Sequence, residues 1–187
     1  MALPGLALAG FGVAHPSGLD AATAQWWATL HVLLLPVFPL LAAALWILLA
    51  PAPPVLRRPG RLAAFGFATF YTGLDAVAGI AAGTVVRAER GPTPALGEVF
   101  AIGDTLGTIG AWSFLAAGLI LVAATARHAG WRALPGALLL LPAAVSFLDS
   151  HIFWPRGVLT MIAIAAGLVL LSLAGSRRPS RSGSQGA

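Results

Sequence analysis

In a chain of 187 residues, 58% are hydrophobic and only 9% charged, whereas soluble domains carry about 25% charged residues and bury only about 70% of their surface at this length; a water-soluble fold is excluded and a bilayer implied. The net charge of +5 does not mark a nucleic-acid binder, because the basic residues, all of them arginine, lie between apolar runs where they orient helices. Cysteine is absent, which removes disulfides, thiolate catalysis and cysteine-held metals or iron–sulfur clusters.

Residues 1–14 are apolar but have no Lys or Arg ahead of them, so they lack the charged front of a secretory signal. About 13 helical residues reach only about 20 Å into a hydrocarbon core about 30 Å thick. They read as a short or tilted first helix, a surface segment or a clipped span, with Gly10 and Ala14 at a spacing that lets helices approach closely. His15-Pro16-Ser17-Gly18-Leu19-Asp20 is a turn. A second helix starts after Asp20 and runs to about Ala50. Trp26 and Trp27 mark an interface, residues 30–49 are long enough to span, and Pro36 and Pro39 predict a kink. Residues 51–61 read as a stiff basic loop, and a third helix covers residues 62–86. A polar loop over residues 87–98 leads to a fourth helix from about Val99 to Ala126, and residues 125–130 form a turn carrying Arg127 and His128. A fifth helix covers residues 131–154, Pro155-Arg156-Gly157 turns the chain, and a sixth covers residues 158–174.

The expected fold is thus an all-α integral membrane helical bundle, a single domain over residues 1–174 with five full transmembrane helices and a short N-terminal apolar helix, six in all. Residues 175–187, rich in Ser, Arg and Gly, read as a disordered tail. Arg57, Arg58, Arg61, Arg127, Arg132 and the three tail arginines fall on one side, against Arg87, Arg90 and Arg156 on the other. The positive-inside rule then puts the C-terminus in the cytoplasm of a bacterial cell and turns the loops after Asp20, Val86 and Trp154 outward.

That topology gathers the ionisable residues. His31 lies one turn inside the outer end of the second helix, Asp104 in the first turns of the fourth, and Asp149 and His151 in the last turns of the fifth; Asp75 lies about 14 Å below the outer end of the third. An ionised Asp at mid-bilayer costs about 2.5–3.5 kcal/mol on insertion scales, so Asp75 must be protonated, partnered or turned to a polar cavity. Tyr71, Thr72, Asp75, Gly79 and Gly83 share one helical face, Thr108 follows Asp104 by one turn, and Gly103, Gly107 and Gly110 leave room for a close neighbour. Asp149 and His151 are two apart, so only one faces the cavity unless the helix loosens before Pro155.

The candidate ligand-binding set is therefore His31, Tyr71, Asp75, Asp104, Thr108, Asp149 and His151, walled by Trp26, Trp27, Trp112, Phe147 and Trp154, in an outward-facing pocket for a small solute or ion. His15 and His128, in loops, are expected to be solvated. Two further readings stay open: a membrane-embedded enzyme using the same Asp and His residues for acid–base or metal-assisted chemistry on a lipid-like substrate, and a scaffold in which they only pair helices. His and Asp suit Zn, Fe or Mn, and His31 with His151 are placed for a bis-imidazole haem. No HxxxH, HxxE or ExxH pair occurs, however, so no residue is assigned to a metal and the cofactor is left unknown. No nucleophile elbow, phosphate loop or HExxH is present. The bilayer is the expected partner, with membrane partner subunits also open. In size, six-helix topology, termini and pocket placement, with Gly10 and Ala14 in the first segment, the chain resembles the small substrate-capture subunits of energy-coupling-factor vitamin transporters. That resemblance implies capture of a small molecule near the outer face and carries over none of their ligand residues.

Overall fold

Proline sets several of the helix starts. Pro4, Pro54 and Pro135 occupy first-turn positions, where a missing N–H removes no intrahelical bond. The computed structural model describes residues 1–176 and is all-helical, with no strand among them. Helix α1 is Leu3–Val13, α2 Ala24–Leu34 and α3 Val37–Leu48. Pro36, which cannot continue the hydrogen-bond ladder, breaks α2 from α3 inside one apolar span, Ala24–Leu48, as the sequence predicts. Next come α4 (Pro54–Leu74), a π-helical segment (Asp75–Ala81) and α5 (Ala82–Ala88), which run on as one span. Helices α6 (Leu96–Ala129) and α7 (Leu134–Ser150) are joined by a 3-10 turn, and α8 is Arg156–Ser176.

Four helical stretches are long and apolar enough to cross a membrane: Ala24–Leu48, Pro54–Ala88, Leu96–Ser150 and Arg156–Ser176. With the shorter Leu3–Val13 they make five, not the expected six. The difference lies at Gly130. The expected turn there is itself helical, so helical backbone continues from Leu96 to Ser150 with no irregular loop between. Gly130 at φ +60° nevertheless turns the chain back on itself, and α7 packs beside α6: the Phe114 and Phe147 rings lie 5.7 Å apart. Glycine reaches that φ without the penalty a Cβ would bring. A second correction concerns residues 51–61, which are not a loop throughout, since α4 starts at Pro54. The expected disordered tail begins where α8 is still helical, at Gly175 and Ser176, and its remainder lies outside the described residues.

Small residues bring the helices together. On α6, Gly103 meets Ala78, Gly107 meets Leu74 and Gly110 meets Tyr71, the close approach that the glycine spacing predicts. Gly136 and Gly167 do the same between α7 and α8, and Gly5 and Gly12 seat α1 against the first half of α8. Phe38, Phe67, Phe114 and Phe147 fill the centre. Leu40, Ile47, Phe65, Leu119, Leu138, Leu159 and Leu173 are exposed on the outside, an apolar surface that fits lipid and not water. The loops at residues 14–23 and 151–155 meet with the start of α6 at one end of the bundle, where the His15 ring stacks edge-on to Phe153 at 4.5 Å and Trp27 lies 6.3 Å from Phe100.

A buried histidine and aspartate cluster as the candidate site

The end of the bundle where those loops meet holds a cavity of about 420 Å³, lined by His31, Tyr71, Asp104, Thr108, Asp149 and His151 together with Trp27, Phe100, Phe147 and Phe153. Six of the seven residues singled out in the sequence thus line one space. The seventh, Asp75, lies immediately behind it, wholly buried, with Oδ1 4.0 Å from His31 Nε2. Neither carboxylate oxygen of Asp75 has a hydrogen-bond partner. A buried polar group without a partner is rare in folded proteins and calls for an explanation.

Local structure sets each of these groups. The π-helical turn places Asp75 and Gly79 against α2, and the carbonyl of Ala78 within it accepts the Trp27 indole N–H at 3.0 Å. Gly79 is needed at its position because a methyl group there would overlap the His31 ring. His31 Nδ1 lies 2.7 Å from the Trp27 carbonyl, and His15 Nδ1 lies 2.8 Å from that of Pro16. A carbonyl only accepts, so both Nδ1 atoms carry the hydrogen and the Nε2 atoms are left as bare lone pairs in the neutral rings. Those two Nε2 atoms face each other at 3.4 Å. His151, at φ +46°, ends α7, and its Nδ1 pairs with the Tyr71 hydroxyl at 2.8 Å.

Two expectations are corrected. His15 is not solvated: only 8% of it is exposed, because α1 folds along α8 and presses the loop onto Trp27, Phe153 and the other two imidazoles. Burial pushes its imidazole below the ordinary value, against the raising effect of the Pro16 carbonyl. Of the proposed aromatic wall only Trp27 and Phe147 line the cavity. Trp112 and Trp154 are exposed, and Trp26 gives its N–H to the Ala14 carbonyl; Tyr71, Phe100 and Phe153 take their places. Asp149 and His151 both reach the cavity because the helix ends at Ser150, the condition under which the sequence allows it. Their surroundings differ, since Asp149 is exposed and paired with Arg156 at 2.5 Å while His151 turns inward. Asp104 and Thr108 are exposed and form the rim.

Ligand atoms of His15, His31 and His151 all lie within 4.8 Å of one another. The His15 ring lies edge-on to both others, 5.1 Å from His31 and 5.8 Å from His151 between centroids, so no porphyrin-sized gap separates His31 from His151. The candidate chemistry is that of a compact polar nest under an aromatic-walled mouth. No family model, curated protein or solved structure matches this chain.

Proposed function

We propose that the protein is a multi-pass protein of a bacterial plasma membrane that binds a small solute or ion, or helps it across, through the cavity above His31 and Asp75. The cavity end faces outward in this reading and the C-terminus lies in the cytoplasm, following the arginine distribution. The observation that carries it is Asp75: a carboxylate buried with both oxygens unpaired, beside an imidazole and directly behind a polar-rimmed cavity. A scaffold residue in this setting would take up an N–H or O–H partner, whereas a binding residue keeps its acceptors for a ligand.

The absence of native cysteine permits a direct test. Thr108→Cys, on the cavity rim, is expected to react with a membrane-impermeant maleimide on intact cells, and Arg58→Cys only after permeabilisation. The reverse pattern rejects the orientation, and no labelling of Thr108→Cys under either condition rejects an open pocket. In detergent, a panel of inorganic cations, small organic cations and neutral solutes is expected to contain one class that raises the unfolding temperature of the wild type and not of Asp75→Asn. A ligand at 100 times its Kd stabilises by about 2.7 kcal/mol, well within such a measurement.

A further inference from the structure

The same site carries a sharper assignment, which rests on the reading of the cavity as a binding pocket. Two neutral imidazoles whose Nδ1–H groups are both committed to backbone carbonyls present lone pair to lone pair at 3.4 Å. That arrangement is repulsive unless something positive lies between or beside the two nitrogens. A shared proton would satisfy His15 and His31 but would give no reason for the third imidazole, His151, to converge on them, nor for the unpaired Asp75 carboxylate to stand 4.0 Å from His31 Nε2. A metal ion accounts for the three imidazoles together and gives the carboxylate beside His31 a charge to offset.

The distances favour one class of ion. Zn–N bonds of about 2.0–2.1 Å in a tetrahedron put neighbouring nitrogens about 3.3 Å apart, and His15 Nε2 to His31 Nε2 is 3.4 Å. The widest separation among the three imidazoles, within 4.8 Å, requires the His151 side to close in by up to about 1.5 Å when an ion binds. His151 sits at a helix terminus, where a side chain can make that shift. The supporting contacts have the form that metal-bound histidine takes, with the second ring nitrogen held by a carbonyl or a polar side chain. Pro16 and Trp27 supply carbonyls to His15 and His31, and Tyr71 supplies a hydroxyl to His151. Imidazole-rich sites select zinc-like first-row ions over Mg²⁺ or Ca²⁺, which prefer all-oxygen shells. We infer that His15, His31 and His151 hold one divalent first-row transition-metal ion of the zinc class, with Asp75, beside His31, as the nearby carboxylate that offsets its charge.

Full-length protein purified in detergent, stripped with a chelator and equilibrated with Zn²⁺, is expected to retain about one zinc per chain by elemental analysis. Competition with a chromophoric chelator is expected to show affinity lowered at least roughly 100-fold in His15→Ala and His151→Ala, and roughly 10–100-fold in Tyr71→Phe, whose hydroxyl only supports a ligand. His128→Ala should bind like the wild type. Because His31→Ala removes a wholly packed ring, His31→Gln is measured beside it, and visible absorption of the Co²⁺-loaded wild type reports nitrogen coordination with every residue in place. Folded wild type that takes up no zinc or cobalt overturns the assignment, as does binding that survives the double substitution His15→Ala/His151→Ala. If an organic cation binds in an Asp75-dependent way and zinc does not, the metal falls and the pocket stands. If zinc binds while Thr108→Cys is never labelled, the open pocket falls and the metal stands.

Discussion

Gly79 is the residue on which the site's spacing depends most directly. Its missing side chain is the space that the His31 ring occupies. Gly79→Ala must displace His31 or push the π-helical segment from α2, and overpacking of this kind costs about 1–3 kcal/mol. The expected outcome is a lowered unfolding temperature in detergent together with weakened zinc binding, read by thermal melts and chelator competition on the same sample. A second residue-scale effect concerns acid. His15 is held below its ordinary pKa by burial, and Asp20 below its own by the Thr23 N–H and hydroxyl, with the Ala22 N–H adding a third bond at 2.9 Å. Both groups bind protons less readily folded than unfolded, so stability rises with pH across their titrations and is lost on acidification. His15 acts first, as pH falls below the ordinary histidine value of 6.5, and Asp20 only below its unperturbed 3.8. In metal-free protein, hydrogen exchange of residues 14–23, corrected for intrinsic rates, is therefore expected to accelerate as pH drops below about 6.5, while α8 stays protected. In zinc-loaded protein the onset moves to lower pH, because the ion must be displaced before His15 is protonated.

At the scale of elements, α6 packs closely on the α4–π segment through Gly103, Gly107 and Gly110, and both elements line the cavity. Gly103 abuts Ala78 within the π-helical turn, so a side chain at 103 would press on the backbone that aims Asp75 at His31. Gly103→Val is expected to destabilise by about 1–3 kcal/mol. Gly97→Ala, nearly two turns earlier and with open space around it, should be neutral or stabilise by up to about 1 kcal/mol through helix propensity. Thermal melts of the two variants side by side check the pair. The glycine row was legible because small residues one turn apart have a plain meaning in a membrane helix, and the Pro36 break because proline has no N–H to give. The π-helical segment was not, since Asp75–Ala81 reads as ordinary apolar helix and the Trp27 indole that bonds to its Ala78 carbonyl comes from 51 residues away. The helix count failed at Gly130 for a related reason: one glycine reversed the chain without interrupting helical backbone.

Over the whole molecule, the convergence of His31, Asp75 and His151 follows from topology. Helices that alternate direction put the second helix's start and the fifth helix's end at one end of the bundle, and the bilayer penalty for a lone carboxylate does the rest. His15 escaped that logic. A histidine ahead of Pro-Ser-Gly reads as a surface turn, and its burial depends on α1 docking along α8 through Gly5 and Gly12, a tertiary contact with no local signature. The aromatic wall was half legible, because interface tryptophans and cavity aromatics share a composition and differ only in which way the helix faces.

The modest length of α1 has its own consequence. Two of the three imidazoles ride on α2 and α7, elements that cannot withdraw without unpicking the bundle, whereas His15 hangs from a helix that reaches along only half of α8. A variant that unseats α1, such as Gly12→Val, is therefore expected to draw His15 away from the cluster while His31 and His151 stay with the rest of the bundle.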